Sequence, residues 1–243
     1  MSNLFHEILY RPLFNALIFL YQNFSFGDFG IAIILLTIAI RFILFPFFYK
    51  SAKDQAILQR LAPKIKAIQA EHKNDREKQA KEMLALYRQH EVNPLSGFFF
   101  IILVQLPILI ALYQVFLKGF SVESLTALYS FIEKPESINV FFLGIIDLTK
   151  TSLFMAALAA IAQYFQGKLS LPKIDPKDVK NLTPIERTGR QMVYIGPVLT
   201  IVFLYFFKLS SAIAIFWLTT SIFSVIQQVI INKRLKDNGT PGA

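Results

Sequence analysis

The residue whose chemistry is hardest to place is Arg41, which lies in residues 29–48, FGIAIILLTIAIRFILFPFF. Twenty helical residues rise about 30 Å, near the thickness of a hydrocarbon core. A guanidinium keeps its proton at any physiological pH. At mid-membrane it costs about 2.5–3.5 kcal/mol on insertion scales. No Asp or Glu lies within any of the long apolar runs, so the sequence offers no counter-ion. Two roles suit such a cation. It can snorkel to phosphate headgroups, or it can face a water-filled cavity and attract acidic groups there. It is about eight residues, some 12 Å, from the basic end of its run. Thr37, four residues earlier, shares its helical face. Gln105, Gln163, Trp217, Thr219 and Thr220 are further polar or amphipathic residues in apolar runs and could extend a polar wall. Gln and Thr serve equally as interhelical hydrogen-bonding glue.

Other chemistries find few residues. There is no cysteine, which removes disulfides, thiolate metal sites, Cys nucleophiles and lipid attachment to Cys. His6, His72 and His90 are scattered without metal-site spacing. The apolar runs hold no His, their Ser and Thr have no recognisable base, and no phosphate-binding or metal motif appears. An enzyme, a metal site and a cofactor are therefore not expected.

The elements that must position Arg41 follow from composition and order. Of 243 residues 54% are hydrophobic, with 25 Phe and a net charge of +9. Apolar residues gathered in long runs mark a multi-pass, all-α membrane protein. Residues 1–28 hold an amphipathic helix in which Leu13, Leu17, Leu20 and Phe24 share a face and Asn15 and Gln22 lie elsewhere. The pattern suits a helix in the membrane interface. No basic stretch leads into an apolar run and cleavage site, so no removable signal peptide is expected. Five spans are read at 29–49, 94–117, 151–166, 191–208 and 211–232. The third and fourth contain apolar cores of only fifteen and sixteen residues, at 151–165 and 192–207. Residues 50–93 form a helical hairpin outside the membrane, with Ile57, Leu61, Ile65 and Ile68 on one arm. Ala80, Met83, Leu84 and Tyr87 line the other. Asn74 followed by Glu77 resembles a capping box, and Pro63 is expected to kink the first arm. Loops occupy 118–150 and 167–190, and the tail is 233–243.

Charge sets the orientation. The hairpin carries ten Lys/Arg, residues 166–190 six and the tail three, nineteen in all. The opposite side carries five: Arg11, Lys118, Lys134, Lys150 and Lys208. By the positive-inside rule the N-terminus is outside and the C-terminus cytosolic.

Several ordered motifs carry a resemblance: Arg41 followed by Pro46, LAPKIKAIQ in the hairpin, and KEMLALYRQHEVNPLSG running on to VQLPILIALY. Phe216-Trp217 and Ile226-Gln227-Gln228 in the last run complete the set. Together they resemble the YidC family of membrane protein insertases over nearly the whole chain from about residue 7. The resemblance implies five spans around a hydrophilic groove, an interfacial helix before them and a cytosolic hairpin. Arg41 would be the groove's charged residue. It further implies a bacterial plasma (inner) membrane location in a short form without the large extracytoplasmic domain. Nascent membrane proteins and the lipid bilayer are the implied partners, with a Sec translocon and the ribosome as candidates. There are departures: Phe98-Phe99-Phe100 replaces the family's Cys-x-Pro, Ser210-Ser211-Ala212 its Pro-Ser/Ala-Gly turn, and Thr220-Ser221 its Ser-Asn.

The function implied is an insertase or chaperone that moves hydrophilic segments through the groove and releases apolar ones into lipid. The alternative is a small-solute transporter or channel, against which stand the missing inverted repeat and the absence of a carboxylate for ion coupling. Direct DNA binding is not expected, because ten basic residues in the hairpin are balanced by six acidic ones.

Overall fold

The computed structural model describes residues 3–93, 95, 106–118, 126–171 and 184–237, which are mostly helical. Gln105, Phe98-Phe99-Phe100 and most of the loop after Leu171 lie outside these residues.

Residues 3–24 wind continuously as α1: Asn3–Phe5, a π-helical His6–Tyr10, and Arg11–Phe24 with Pro12 in its first turn. The packed face overlaps the Leu13, Leu17, Leu20 and Phe24 set only in part. Phe14, Leu17 and Ile18 are wholly buried, with Tyr10 and Tyr21 beside them, while Leu13 and Leu20 flank and Phe24 is exposed. Asn15 is buried too. Its Nδ2 donates to Ala127 O at 3.0 Å, and its Oδ1 accepts from Tyr129 N at 2.6 Å. Gln22 Nε2 donates to Glu133 O at 2.9 Å. The polar residues of α1 thus hold the 126–139 segment, which hydropathy alone does not reveal.

Helix α2, Phe29–Ile43, begins at an Asp28 cap whose Oδ1 accepts from Ile31 N at 3.0 Å. It stops at Leu44, and α3, Phe45–Glu71, leaves at 70°. Pro46 explains the break, since proline lacks the donor for an i→i−4 bond and its ring clashes with the carbonyl four residues back. The apolar run at 29–48 is therefore two helical pieces. Arg41 sits three residues before the bend, not deep in a straight twenty-residue helix. Pro63 is accommodated inside α3.

Helix α4, Arg76–Gln89, folds back on α3. Leu61, Leu86 and Val92 form a small core, flanked by Ile57, Ile65, Ile68 and Tyr87. On the second arm Leu86 is the buried leucine and Leu84 is half exposed. The cap is Asp75, whose Oδ1 accepts from Lys78 N at 3.0 Å, one residue later than the Asn74 expectation.

Helix α5 is Leu106–Lys118. The loop after it contains strands β1, Phe141–Phe142, and β2, Ile146–Asp147, paired antiparallel. Helix α6 is Leu153–Ser170, capped by Ser152. Helix α7, Pro184–Ile201, continues as a π-helical Val202–Phe206. A tight turn with Lys208 at φ 51° leads into α8, Ser211–Asp237. The apolar cores at 151–165 and 192–207 thus sit in longer helices than their own lengths suggest. Arg187–Phe206 and Ser211–Arg234 are each long and apolar enough to cross a membrane, and the bent pair Phe29–Ile43 with Phe45–Leu58 makes a third candidate. Leu106–Val115 is a shorter apolar helix.

The main core joins α1, α2, α5, α6 and α8, centred on Phe14, Ile33, Leu112, Met155 and Ile215. The loop 126–150 closes one end of it. Ser211 N donates to Lys150 O at 2.8 Å, and Leu143 N donates to Asp28 Oδ2 at 2.6 Å, so the loop lies against the N-termini of α2 and α8. At the other end Ile231 of α8 packs with Ala56 and Tyr49 of α3, and Asn232 Nδ2 donates to Leu169 O at 3.2 Å.

Candidate functional site

A cavity of about 580 Å³ lies between α2, α3, α6, α7 and α8, with Leu109 of α5 also on its wall. Arg41 forms part of its wall through the last turn of α2. The side chain is buried, with its guanidinium carbon 3.8 Å from the centre of the Phe48 ring and 5.8 Å from that of Phe223. Nη2 donates to Thr220 O at 3.2 Å. Among the described residues no salt bridge reaches it. The bend at Leu44 carries α3 past α2, which brings Phe48 under the guanidinium plane. Cation–π stacking of this kind is worth about 2 kcal/mol when desolvated, so it offsets only part of the burial cost of the charge.

Three other expected residues share the wall. Gln163 enters from α6, and Trp217 and Thr220 from α8. Gln163 is also the bond between two helices, since Thr200 Oγ1 of α7 donates to its Oε1. Gly196 of α7 stands beside it, where an added Cβ would meet Gln163 Nε2 at 3.4 Å, and Gly167 faces Val193 as closely. Small residues at both points let α6 and α7 approach. Trp217 packs its ring 6.1 Å from Phe203. Thr37 is different. It is buried on α2 away from the cavity wall, and its Oγ1 donates to Ile33 O at 2.7 Å, an ordinary back-bond within the helix. Gln105 lies outside the described residues.

The wall holds polar residues that the reading of isolated polar positions passed over. On α8 Ser221, Ser224, Gln227 and Gln228 join the expected Trp217 and Thr220 in a stripe at three- and four-residue spacing along one helical face. Ser51 and Gln55 oppose them from α3. The signal was present in the sequence as a polar i, i+3, i+4, i+7 pattern inside an apolar run. Among the described residues Thr220 Oγ1 and Gln227 Nε2 are buried without a hydrogen-bond partner, while Gln228 Nε2 donates to Asn232 Oδ1 at 3.0 Å. Thr, Ser and Gln side chains lining a cavity far larger than the ~30 Å³ share of one water suit a hydrated space. The arrangement can therefore solvate a polar chain and attract an anion, but no described nucleophile and base are positioned for bond chemistry.

A metal-compatible grouping, Glu71, His72 and Glu82, lies far along the chain at the hairpin tip, with His72 Nε2 2.8 Å from Glu82 Oε1. It has no part in the cavity.

The family model for the 60Kd inner membrane protein matches residues 19–238. The chain is 30% identical over 229 residues to the membrane protein insertase YidC of Citrifermentans bemidjiense, covering 93% of this chain and 37% of that protein. It is 30% identical over 230 residues to that of Geobacter sulfurreducens, covering 94% and 38%. With that of Francisella philomiragia it shares 31% over 207 residues, covering 85% and 33%. The chain thus spans little more than a third of the length of these relatives. With the family model covering most of its residues, the chain belongs to the 60Kd inner membrane protein family.

Proposed function

We propose that this chain is a membrane protein insertase without covalent chemistry, acting on nascent membrane proteins in a bacterial inner membrane. The observation that carries the reading is Arg41: a buried cation, without a salt bridge among the described residues, on the wall of a polar-lined cavity. The cavity replaces part of the water that a hydrophilic segment loses on leaving solution, which lowers its transfer cost. Arg41 attracts acidic groups of the arriving segment, and the attraction gains strength where the effective dielectric is low. Apolar segments then leave along the helix faces into lipid. In this reading the bundle has five spans, N-terminus outside and C-terminus cytosolic, with the hairpin in the cytosol. The polar stripe on α8 and Gln163 complete the groove, and a Sec translocon or a ribosome delivers the substrate.

Insertion into proteoliposomes of a substrate whose translocated segment carries Asp or Glu tests this directly. Arg41→Ala should reduce insertion several-fold while the bundle stays folded, because no carboxylate is stranded. Changing the substrate's acids to Asn or Gln should shrink the difference, and the double change isolates the coupling. Equal loss for acidic and neutral substrates would remove charge attraction from the mechanism. Unchanged insertion would return Arg41 to headgroup snorkelling.

A further inference from the structure

The end of the bundle opposite the hairpin presents bulky apolar side chains that the core leaves unused. Phe26 is 99% exposed, Ile145 81% and Leu143 62%. Two tight turns display them. Phe26 and Leu143 both adopt φ 52°, each followed by a glycine at positive φ, Gly27 at 74° and Gly144 at 69°. The left-handed region penalises a side chain, and turns of this kind ordinarily place Asn, Asp or Gly first. Phenylalanine and leucine there gain nothing locally. Strain kept at a point that projects an apolar side chain outward suggests a use for that side chain.

Asp28 binds the two turns into one unit. Its Oδ1 caps α2 through Ile31 N, and its Oδ2 accepts from Leu143 N at 2.6 Å. Both carboxylate oxygens are engaged by the backbone. The exposed apolar surface continues onto α1 through Phe24 and Phe19, whose rings lie 5.9 Å apart. Phe26 is three residues from Phe29, the start of a helix in a candidate span. Three extended residues reach about 10 Å at most, so connectivity keeps the Phe26 turn near the start of that candidate span, and Asp28 holds the Leu143 turn beside it.

We propose that the turns Phe26-Gly27 and Leu143-Gly144 form a lipid-inserting tip whose occupant is the acyl region of the leaflet opposite the hairpin. The exposed Phe19 and Phe24 on α1 and the tether to α2 favour acyl chains over a soluble partner. The tip fixes the depth of that end of the bundle.

The natural absence of cysteine makes the test direct. Single spin labels are placed through Phe26→Cys, Ile145→Cys and, as a control on the same loop, Glu136→Cys, in the 243-residue chain in phosphatidylcholine vesicles. Labels at 26 and 145 should be relaxed more by oxygen, which concentrates in lipid, than by a water-soluble nickel chelate. The label at 136 should show the reverse. Ile145 has no positive φ, so its label stands if the Phe26 variant disturbs its turn. Nickel accessibility at 145 equal to that at 136 would place the tip in water and overturn the proposal. A label shielded from both reagents would mean protein covers the tip, which overturns it equally. Insertion activity is not read, so this result is independent of the insertase assignment.

Discussion

Single residues here divide by what they do with polarity that burial would otherwise make costly. Asn15 resolves it structurally, using its donor and acceptor to fix Ala127 and Tyr129. Arg41 keeps its charge and lines a cavity. Asp147 resolves it outside the bundle. Thr149 Oγ1 donates to its Oδ1, and Lys150 Nζ approaches Oδ2 at 3.0 Å. These partners, the Thr149 hydrogen bond first, hold its carboxyl down at about 2 from an ordinary 3.8. A depressed folded value means stability that is present above the ordinary value and is lost as pH falls through the folded one. Acid should therefore loosen the β1–β2 loop between about pH 4 and 2. Asp147→Asn should be less stable than the parent at neutral pH and lose less on acidification across that window. Thermal unfolding of both proteins in detergent at matched pH gives the comparison, and parallel acid dependence would refute the role. Asn15 shows why some residues could not be read from sequence. Apart from a back-bond to Arg11 O at 2.7 Å, its partners are more than a hundred positions away, and no local pattern announces them.

Among the elements, those with long periodic runs were legible and those set by a single contact were not. The first helix of the hairpin follows from Ile57, Ile65 and Ile68 recurring at helical spacing. The break at Leu44 had a visible cause in Pro46, yet unbroken hydropathy through Phe47 and Phe48 concealed it. The β1–β2 hairpin gave almost no signal, with two-residue strands and a Leu-Gly turn in place of Asn-Gly. Its place depends on Gly30 of α2, where an added Cβ would fall 2.3–2.8 Å from Phe142 side-chain atoms. Only glycine lets the ring rest on the helix. Gly30→Ala should therefore displace the loop and lower the melting temperature by several degrees, since about 1 kcal/mol shifts a domain of this size by roughly 2–4 °C. Phe142→Ala should destabilise as well, by loss of burial. Combined, the two should cost less than their sum, because the clash has no partner left. Strict additivity would show that Gly30 serves some purpose other than making room for Phe142. The polar stripe on α8 falls between these extremes. Its spacing was present in the sequence, but hydropathy alone gives no way to tell a groove from helix–helix glue.

For the whole molecule, packing and charge bear on the same question from different directions. The loop 126–150 lies against the N-termini of α2 and α8, whereas α3 meets the C-terminal part of α8 through Ile231. Loop and hairpin therefore occupy opposite ends of the bundle, and a membrane crossed by the candidate span α8 would separate them. Which end faces the cytosol is a matter of charge: nineteen basic residues belong to the hairpin, the 166–190 segment and the tail, and five to the other side. Juxtamembrane Lys and Arg resist translocation, so the hairpin end should remain in the cytosol. Ser130 and Lys73 are both exposed and lie in the two opposed segments. In intact cells stripped of their outer barrier, an impermeant maleimide should label Ser130→Cys and leave Lys73→Cys unlabelled until the membrane is opened. Labelling at 73 alone would invert the molecule and the direction of insertion with it. Labelling at both positions before opening would be incompatible with α8 separating them, and would mean either dual orientation or a hairpin that does not stay on one side.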